Sequence, residues 1–269
     1  MLSNALVARL TQSAPSTVLE ALRPSHADLP YGLEVETSRG LLWRIDAPVS
    51  ELWPEQERWL AALAKRSPAG NSSGANAPAV EETHAELVAL RESLPDRVLL
   101  VDVKASGPDD EIFLIGVLHT HKDLPIVTQL LARGTGEEAA VLAALDDIVR
   151  EKQVLVTFNG KSTSWPLVQE RRATRRLGKS AAANDMVHCD LLHHARRRWK
   201  SRLPNCKLQT LEQYICGRQR ATDASASDVL EVYHDYLLNN DPWKLRLALE
   251  HHALDLVTLW QLALWMAHA

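Results

Sequence analysis

Two pairs of polar side chains have the spacing needed to act together. Asp102 lies near the end of an apolar strand predicted over 97–103, and Lys104 shares its face because side chains alternate along a strand. His251 and Asp255 are four residues apart in a predicted helix, so they share one helix face. Carboxylates and imidazoles are side chains that enzymes use for acid–base chemistry. Taken alone, however, the helical pair is more often a chance neighbour than a functional pair.

A strongly basic stretch covers residues 161–220. It holds 14 Lys and Arg against four acids, although the whole chain has 30 Lys and Arg against 34 Asp and Glu. Trp165, Trp199 and Tyr214 lie within it, and a cationic groove with aromatic rings suits a flexible nucleic-acid strand. The alternative is a solvated helix face, since three successive arginines cannot all point one way. The charge pattern favours nucleic acid.

The hydrophobic periodicity predicts an α/β domain with a mixed sheet. Strands are expected over 97–103, 112–118, 124–131 and 153–158, and helices over 137–150, 164–177, 186–199, 207–216, 227–238 and 243–267. We divide the chain into an N-terminal hairpin and helix element (1–66), a flexible linker (67–82) and a main domain (95–269). The hairpin is predicted by alternating runs on either side of Ser38-Arg-Gly40.

Composition excludes several classes of protein. The chain is 46% hydrophobic and 24% charged, which is typical of a globular protein and not of a disordered one. Membrane association is not expected, because there is no run of about 18 uncharged apolar residues. Three cysteines are too few for a disulfide framework, and residues 1–19 lack the uninterrupted apolar core of a secretory signal. We therefore expect a cytoplasmic location.

Several motifs in a fixed order resemble one known family. They are Leu99-Leu-Val-Asp-Val103, Ile115-Gly116, Val156-Thr-Phe-Asn-Gly-Lys-Ser-Thr-Ser-Trp-Pro166, His188-Cys-Asp-Leu-Leu-His193, Ala195-Arg-Arg-Arg-Trp-Lys200, Cys206-Lys-Leu-Gln-Thr-Leu-Glu212 and His251-His-Ala-Leu-Asp-Leu-Val-Thr-Leu259. Over about residues 95–267 the chain is similar to the YprB-like family of RNase H-fold 3′–5′ exonucleases, in the DEDD superfamily. The resemblance implies an RNase H-like mixed β-sheet flanked by helices.

The resemblance also implies a reaction and its residues. In that family four carboxylates hold two divalent metals, Mg²⁺ or Mn²⁺, which activate a water and stabilise the attacking and leaving oxygens. Asp102 matches the first carboxylate, Asp255 the last and His251 the histidine that assists as general base. Lys104 and Ser164 stand where the other two acids are expected. Asp102, Asp255 and Lys104 then sum to −1 where the working site carries −4.

This charge deficit leads to the main hypothesis. We expect a nucleic-acid-binding exonuclease-like protein with a role in DNA repair or processing, whose two-metal catalysis is lost or strongly reduced. It would be a pseudoenzyme without a cofactor, in which Lys104 takes the cation's place beside Asp102. Its expected partner is single-stranded nucleic acid, with DNA favoured over RNA. A helicase partner is also expected, but only because the resemblance implies one. The expected nucleic-acid contacts are Asn159, Lys161, Arg196, Arg197, Trp199 and Lys200.

Two other functions stay open. One is an active nuclease that uses Mg²⁺ or Mn²⁺ with Asp102, Asp255 and His251. The other is an interaction scaffold whose basic face binds an acidic protein. In addition, the loop acids Asp109, Asp110 and Glu111 offer a less favoured replacement for a missing ligand.

Two local patterns are given little weight. Gly160-Lys161-Ser162 resembles part of a phosphate-binding loop, but Leu155 stands where that loop needs its first glycine. A zinc site is also disfavoured, because the nearby cysteines and histidines lack paired ligand spacing. The residues concerned are His188, Cys189, His193, His194, Cys206 and Cys216.

Overall fold

A computed structural model of the protein describes residue 29 and residues 32–65, 84–106, 111–122, 124–178, 185–218, 220, 226–239 and 242–268. The predicted linker, 67–82, lies outside these residues. Within them the predicted α/β class is confirmed, because seven strands form one mixed sheet with helices packed against it. No helix in these ranges is long and apolar enough to cross a membrane.

The sheet combines an antiparallel part with a parallel part. Its strands are β1 (Leu33–Thr37), β2 (Gly40–Pro48), β3 (Val98–Ser106), β4 (Glu111–His121), β5 (Leu124–Leu131), β6 (Val154–Thr157) and β7 (Val187–Asp190). Their order across the sheet is β1-β2-β5-β4-β3-β6-β7. The pairs β3–β6 and β6–β7 are parallel, whereas the other neighbours are antiparallel. Parallel neighbours need crossover connections, and helices supply them here.

The helices lie between and after the strands along the chain. The described ones are α1 (Val49–Leu52), α2 (Gln56–Lys65), α3 (Ala85–Ser93), α4 (Glu138–Val149), α5 (Ser164–Thr174), α6 (Leu191–Trp199), α7 (Leu208–Leu211), α8 (Ala226–Asn239) and α9 (Pro242–His268). A 3₁₀ turn (Thr135–Glu137) precedes α4, and a π-helical turn (Glu212–Cys216) follows α7. The long helix α9 packs on β3, β4 and β5 and thereby lies under the centre of the sheet.

Strand β3 separates two apolar cores. Val98 and Leu100 pack in one core together with residues of α3, α6 and α9. Leu99 and Val101 pack in the other, together with residues of α4, α5 and α8. Because side chains alternate, Asp102 continues the first set and faces α9.

The N-terminal hairpin is confirmed and extends the sheet. Strands β1 and β2 pair antiparallel, and β2 pairs in turn with β5. Gly40 has a φ of 116°, which an L side chain rarely adopts, so glycine is needed at this turn.

One predicted element was partly wrong. The helix expected over 186–199 begins only at Leu191, because Val187–Asp190 forms the edge strand β7. Its backbone is paired parallel with β6, with Val154 opposite Val187 and Thr157 opposite Asp190. The backbone hydrogen bonds to β6, a strand distant in sequence, therefore outweigh the local helical pattern.

Candidate functional site

Asp102 and Lys104 form an ion pair on the face of β3 that meets α9. Lys104 Nζ lies 2.9 Å from Asp102 Oδ2, and their side chains are 20% and 30% exposed. Burial alone would raise the pKa of Asp102, but the charge of Lys104 and the contact with His252 hold it below its usual range. Burial alone would lower the pKa of Lys104, but Asp102 and Asp255 outweigh burial and raise it. Both side chains are therefore charged at neutral pH.

A histidine of α9 also reaches Asp102, and it is the neighbour of the predicted His251. His252 Nε2 lies 3.3 Å from Asp102 Oδ2. Gln129 on β5 donates through Nε2 to the Leu249 carbonyl, and the same nitrogen lies 2.9 Å from His252 Nδ1. An amide nitrogen only donates, so Nδ1 accepts. Nε2 is then the donor nitrogen of the ring, and it lies toward Asp102.

Glycine at position 116 makes room for this histidine. Gly116 lies opposite Asp102 in the β3–β4 pair. A Cβ added at Gly116 would be 2.3 Å from Cε1 of His252 and 2.7 Å from Cδ1 of Leu256. The motif Ile115-Gly116 contains this glycine, but the sequence analysis did not connect it with His252.

Asp255 is paired with an arginine that sequence reasoning missed. Arg220 Nη2 donates to Asp255 Oδ1 at 2.7 Å and to Glu212 Oε2 at 2.6 Å. Arg220 Nη1 lies 3.0 Å from His251 Nδ1, while His251 Nε2 is 3.8 Å from Asp255 Oδ2. The pKa of His251 is lowered, chiefly by burial, against the opposing charge of Asp255. Its ring therefore accepts from Arg220 in neutral form.

Glu212 is held by several donors at once. Arg220 Nε lies 3.0 Å from both Glu212 oxygens, Arg218 Nε donates to one of them, and Thr258 donates to the other at 2.6 Å. Burial would raise the pKa of Glu212, but Arg220 and Thr258 lower it. The π-helical turn that carries Glu212 is thus tied to α9 through charged groups.

The comparisons with known proteins agree with this architecture. A sequence model of the RNase H superfamily matches residues 100–267, which is more than half of the chain. The chain belongs to the RNase H superfamily. The uncharacterized protein YprB of Bacillus subtilis (strain 168) is 30% identical over 161 residues, which are 60% of this chain and 38% of that protein. The chain thus spans less than half the length of this relative. The predicted YprB-like family and RNase H-like fold are confirmed.

RNase H-like folds commonly use divalent metals, but the groups at this site do not fit a pair of them. Its three carboxylates, Asp102, Glu212 and Asp255, face three cations, Lys104, Arg218 and Arg220. The charges therefore balance without any metal. At an effective dielectric near 20, two unit charges of like sign about 4 Å apart repel by about 4 kcal/mol, and a divalent ion doubles this.

Among the described residues, neither the second altered acid position, Ser164, nor the loop acid Glu111 supplies a substitute ligand. Ser164 begins α5, and its hydroxyl oxygen lies 3.5 Å from that of Thr163. Glu111 is engaged elsewhere, because it pairs with Arg175 and lies 3.6 Å from Arg171. Asp109 and Asp110 lie outside the described residues. Glu111 therefore does not act as the replacement ligand that we considered.

The loop after β6 is organised by an internal carboxylate. The backbone N–H groups of Asn159 and Lys161 donate to Asp190 at 2.8 and 3.0 Å. These are amides that a phosphate-binding loop would offer to its ligand, so this geometry also argues against such a loop. The ammonium of Lys161 pairs with Glu86 at 2.5 Å. Asn159 keeps an exposed side chain.

Helix α6 presents part of the basic stretch to solvent. Arg196, Arg197 and Lys200 are exposed. Trp199, in contrast, is only 5% exposed and its ring lies 5.1 Å from that of Trp265. The expectation that Trp199 stacks on a base was wrong, because packing against α9 buries its ring.

A second cluster of side chains has the composition of a metal site. The ligand-type atoms of Glu86, Cys189 and His194 lie within 4.8 Å of one another. Arg197 donates to His194 Nδ1 at 2.8 Å, so Nε2 carries the proton and donates to Glu86 at 3.1 Å. Burial raises the pKa of Cys189 to about 12. Metal binding at this cluster would require loss of the Cys189 thiol proton and release of the His194 ring from Arg197 or Glu86.

Proposed function

We propose that this RNase H-like domain binds single-stranded nucleic acid and has lost, or nearly lost, two-metal phosphodiester hydrolysis. The observation that carries the proposal is the pairing of Asp102 and Asp255 with side-chain cations at 2.9 and 2.7 Å. In this proposal Asp102, Asp255 and His251 are remnants of an exonuclease site, with Lys104 and Ser164 at its altered positions.

The proposed binding surface is the exposed basic side of α6. Arg196, Arg197 and Lys200 are offered as phosphate contacts, because exposed cations neutralise the backbone and release its counterions. Asn159 and Lys161 are offered as further contacts at the end of β6, with the ammonium of Lys161 shared with Glu86. We further propose DNA as the ligand, a role in DNA repair or processing, a helicase partner and a cytoplasmic location.

Binding is tested with a fluorescent single-stranded oligonucleotide over a range of salt concentrations. Replacing Arg196, Arg197 and Lys200 together by Gln should weaken binding and reduce the salt slope by about 2, because each lost phosphate contact removes about 0.7. The matched control replaces the exposed Arg58, Lys122 and Arg150 by Gln, with the same change in charge. Equal losses in both triple variants would contradict a specific surface on α6. No binding of DNA or RNA at low salt would favour a protein-interaction scaffold instead.

Hydrolysis is tested on the same strand with Mn²⁺. We expect no shortening by the wild-type protein. Shortening that disappears in Asp102→Asn would favour the active nuclease with Mg²⁺ or Mn²⁺ and would refute the proposed loss of catalysis.

A further inference from the structure

Arg220 occupies the position of a shared cation between two buried carboxylates. Its guanidinium reaches Glu212 through Nε and Nη2 and Asp255 through Nη2, and Nη1 points to His251. Glu212 is outside the four acid positions that the resemblance implies. A planar guanidinium presents several fixed donors, so one arginine can hold two carboxylates at once.

The balance of charge changes what the site can bind. A site of unpaired carboxylates repels a phosphodiester until divalent ions neutralise it. Here Arg218 and Arg220 neutralise Glu212 and Asp255, so these acids present no net charge to an approaching phosphate. Asp102 is the one remaining carboxylate among these three, and Lys104 neutralises it.

Lys104 is the most exposed cation of this group. Its side chain is 20% exposed, against 17% for Arg218 and 9% for Arg220. An ammonium has three donors, and the pair with Asp102 uses one of them. Lysine binds phosphate as a point charge and needs no particular fork geometry.

We propose that this site binds a backbone phosphodiester without a divalent metal, with Lys104 as the contacting cation and Arg220 as a resident counter-ion. The inference rests on the proposed nucleic-acid binding. It adds a second phosphate contact, at Lys104, to those proposed on the surface of α6. Arg220 is a positioning residue here, because it acts through Glu212 and Asp255.

The test measures binding of a fluorescent single-stranded DNA in EDTA and in Mn²⁺ at matched ionic strength. The wild-type protein should bind equally in both within about twofold. Arg220→Gln should bind roughly tenfold more weakly in EDTA, because it exposes uncompensated carboxylate charge, and should regain affinity in Mn²⁺. Arg150→Gln, which removes an exposed cation on the sheet's other helical layer, should behave as the wild type.

A second measurement needs no nucleic acid. Mn²⁺ should leave the melting temperature of the wild-type protein unchanged and should raise that of Arg220→Gln. If Arg220→Gln does not fold, Lys104→Gln decides, since it should weaken DNA binding in EDTA and in Mn²⁺ alike.

The outcomes separate the two proposals. Wild-type binding that requires Mn²⁺ overturns the metal-free site but leaves nucleic-acid binding standing. Metal-indifferent binding by a folded Arg220→Gln, or unchanged affinity in Lys104→Gln, also overturns it. A wild-type protein that binds no strand in either buffer refutes the proposed function itself.

Discussion

Replacing Gly116 by Ala should disturb the candidate site without touching any of its charged groups. The new Cβ would lie 2.3 Å from Cε1 of His252 and 2.7 Å from Cδ1 of Leu256. Ordinary carbon–carbon contacts are about 3.5 Å long. The contact with His252 would be more than an ångström shorter than this, and the contact with Leu256 nearly an ångström shorter. The ring cannot withdraw freely, because Gln129 Nε2 holds its Nδ1 at 2.9 Å.

The expected cost follows from these contacts. Overpacking of a tight core costs about 1–3 kcal/mol. A lost hydrogen bond between Gln129 and His252 adds about 0.5–1.5 kcal/mol. We therefore expect Gly116→Ala to lower the free energy of unfolding by about 2–4 kcal/mol, or the melting temperature by roughly 5–15 °C.

Urea denaturation of a matched pair of variants measures this cost. Gly136→Ala is the control, because a Cβ there meets no atom within 4 Å, and it should change stability by less than about 0.5 kcal/mol. The double variant Gly116→Ala/His252→Ala should lose less than the sum of the single variants, since the two positions touch. Full additivity, or equal stability of both alanine variants, would refute the close approach of His252 to β4.

Two further predictions concern acid stability and the buried tryptophan. Since the folded pKa of Glu212 is lowered, its stabilising contribution is present above the unfolded value of about 4.3 and is lost as pH falls through the folded value. The difference in unfolding free energy between wild type and Glu212→Gln should therefore shrink from pH 7 to pH 3, and a constant difference would contradict the ion pairing. Trp199→Ala should destabilise the fold by about 3–5 kcal/mol because it leaves a cavity beside Trp265. Trp199→Phe, which keeps most of the packing, should bind single-stranded DNA as the wild type does, and a large loss of affinity would restore the stacking role.

Secondary structure was predictable where the local pattern and the tertiary environment agree. The apolar runs of β3, β4 and β5 and the long periodic segment of α9 were all recognised. The four residues of β7 were not, because a short strand at a sheet edge has too few side chains to show an alternation. Its strand geometry comes from hydrogen bonds to β6, whose residues lie about 30 positions earlier in the chain.

Two pairs of the site follow from local backbone geometry alone. Strand alternation brings Lys104 beside Asp102, and helical spacing places His251 one turn before Asp255. The tertiary structure decided which groups meet these pairs: Arg220 and Glu212 come from a segment some 35–45 residues before Asp255. No spacing rule predicts such a contact, because it arises only when α9 packs under the sheet and buries the carboxylates. Burial makes an unpaired charge costly, and the fold therefore supplies a cation to each acid.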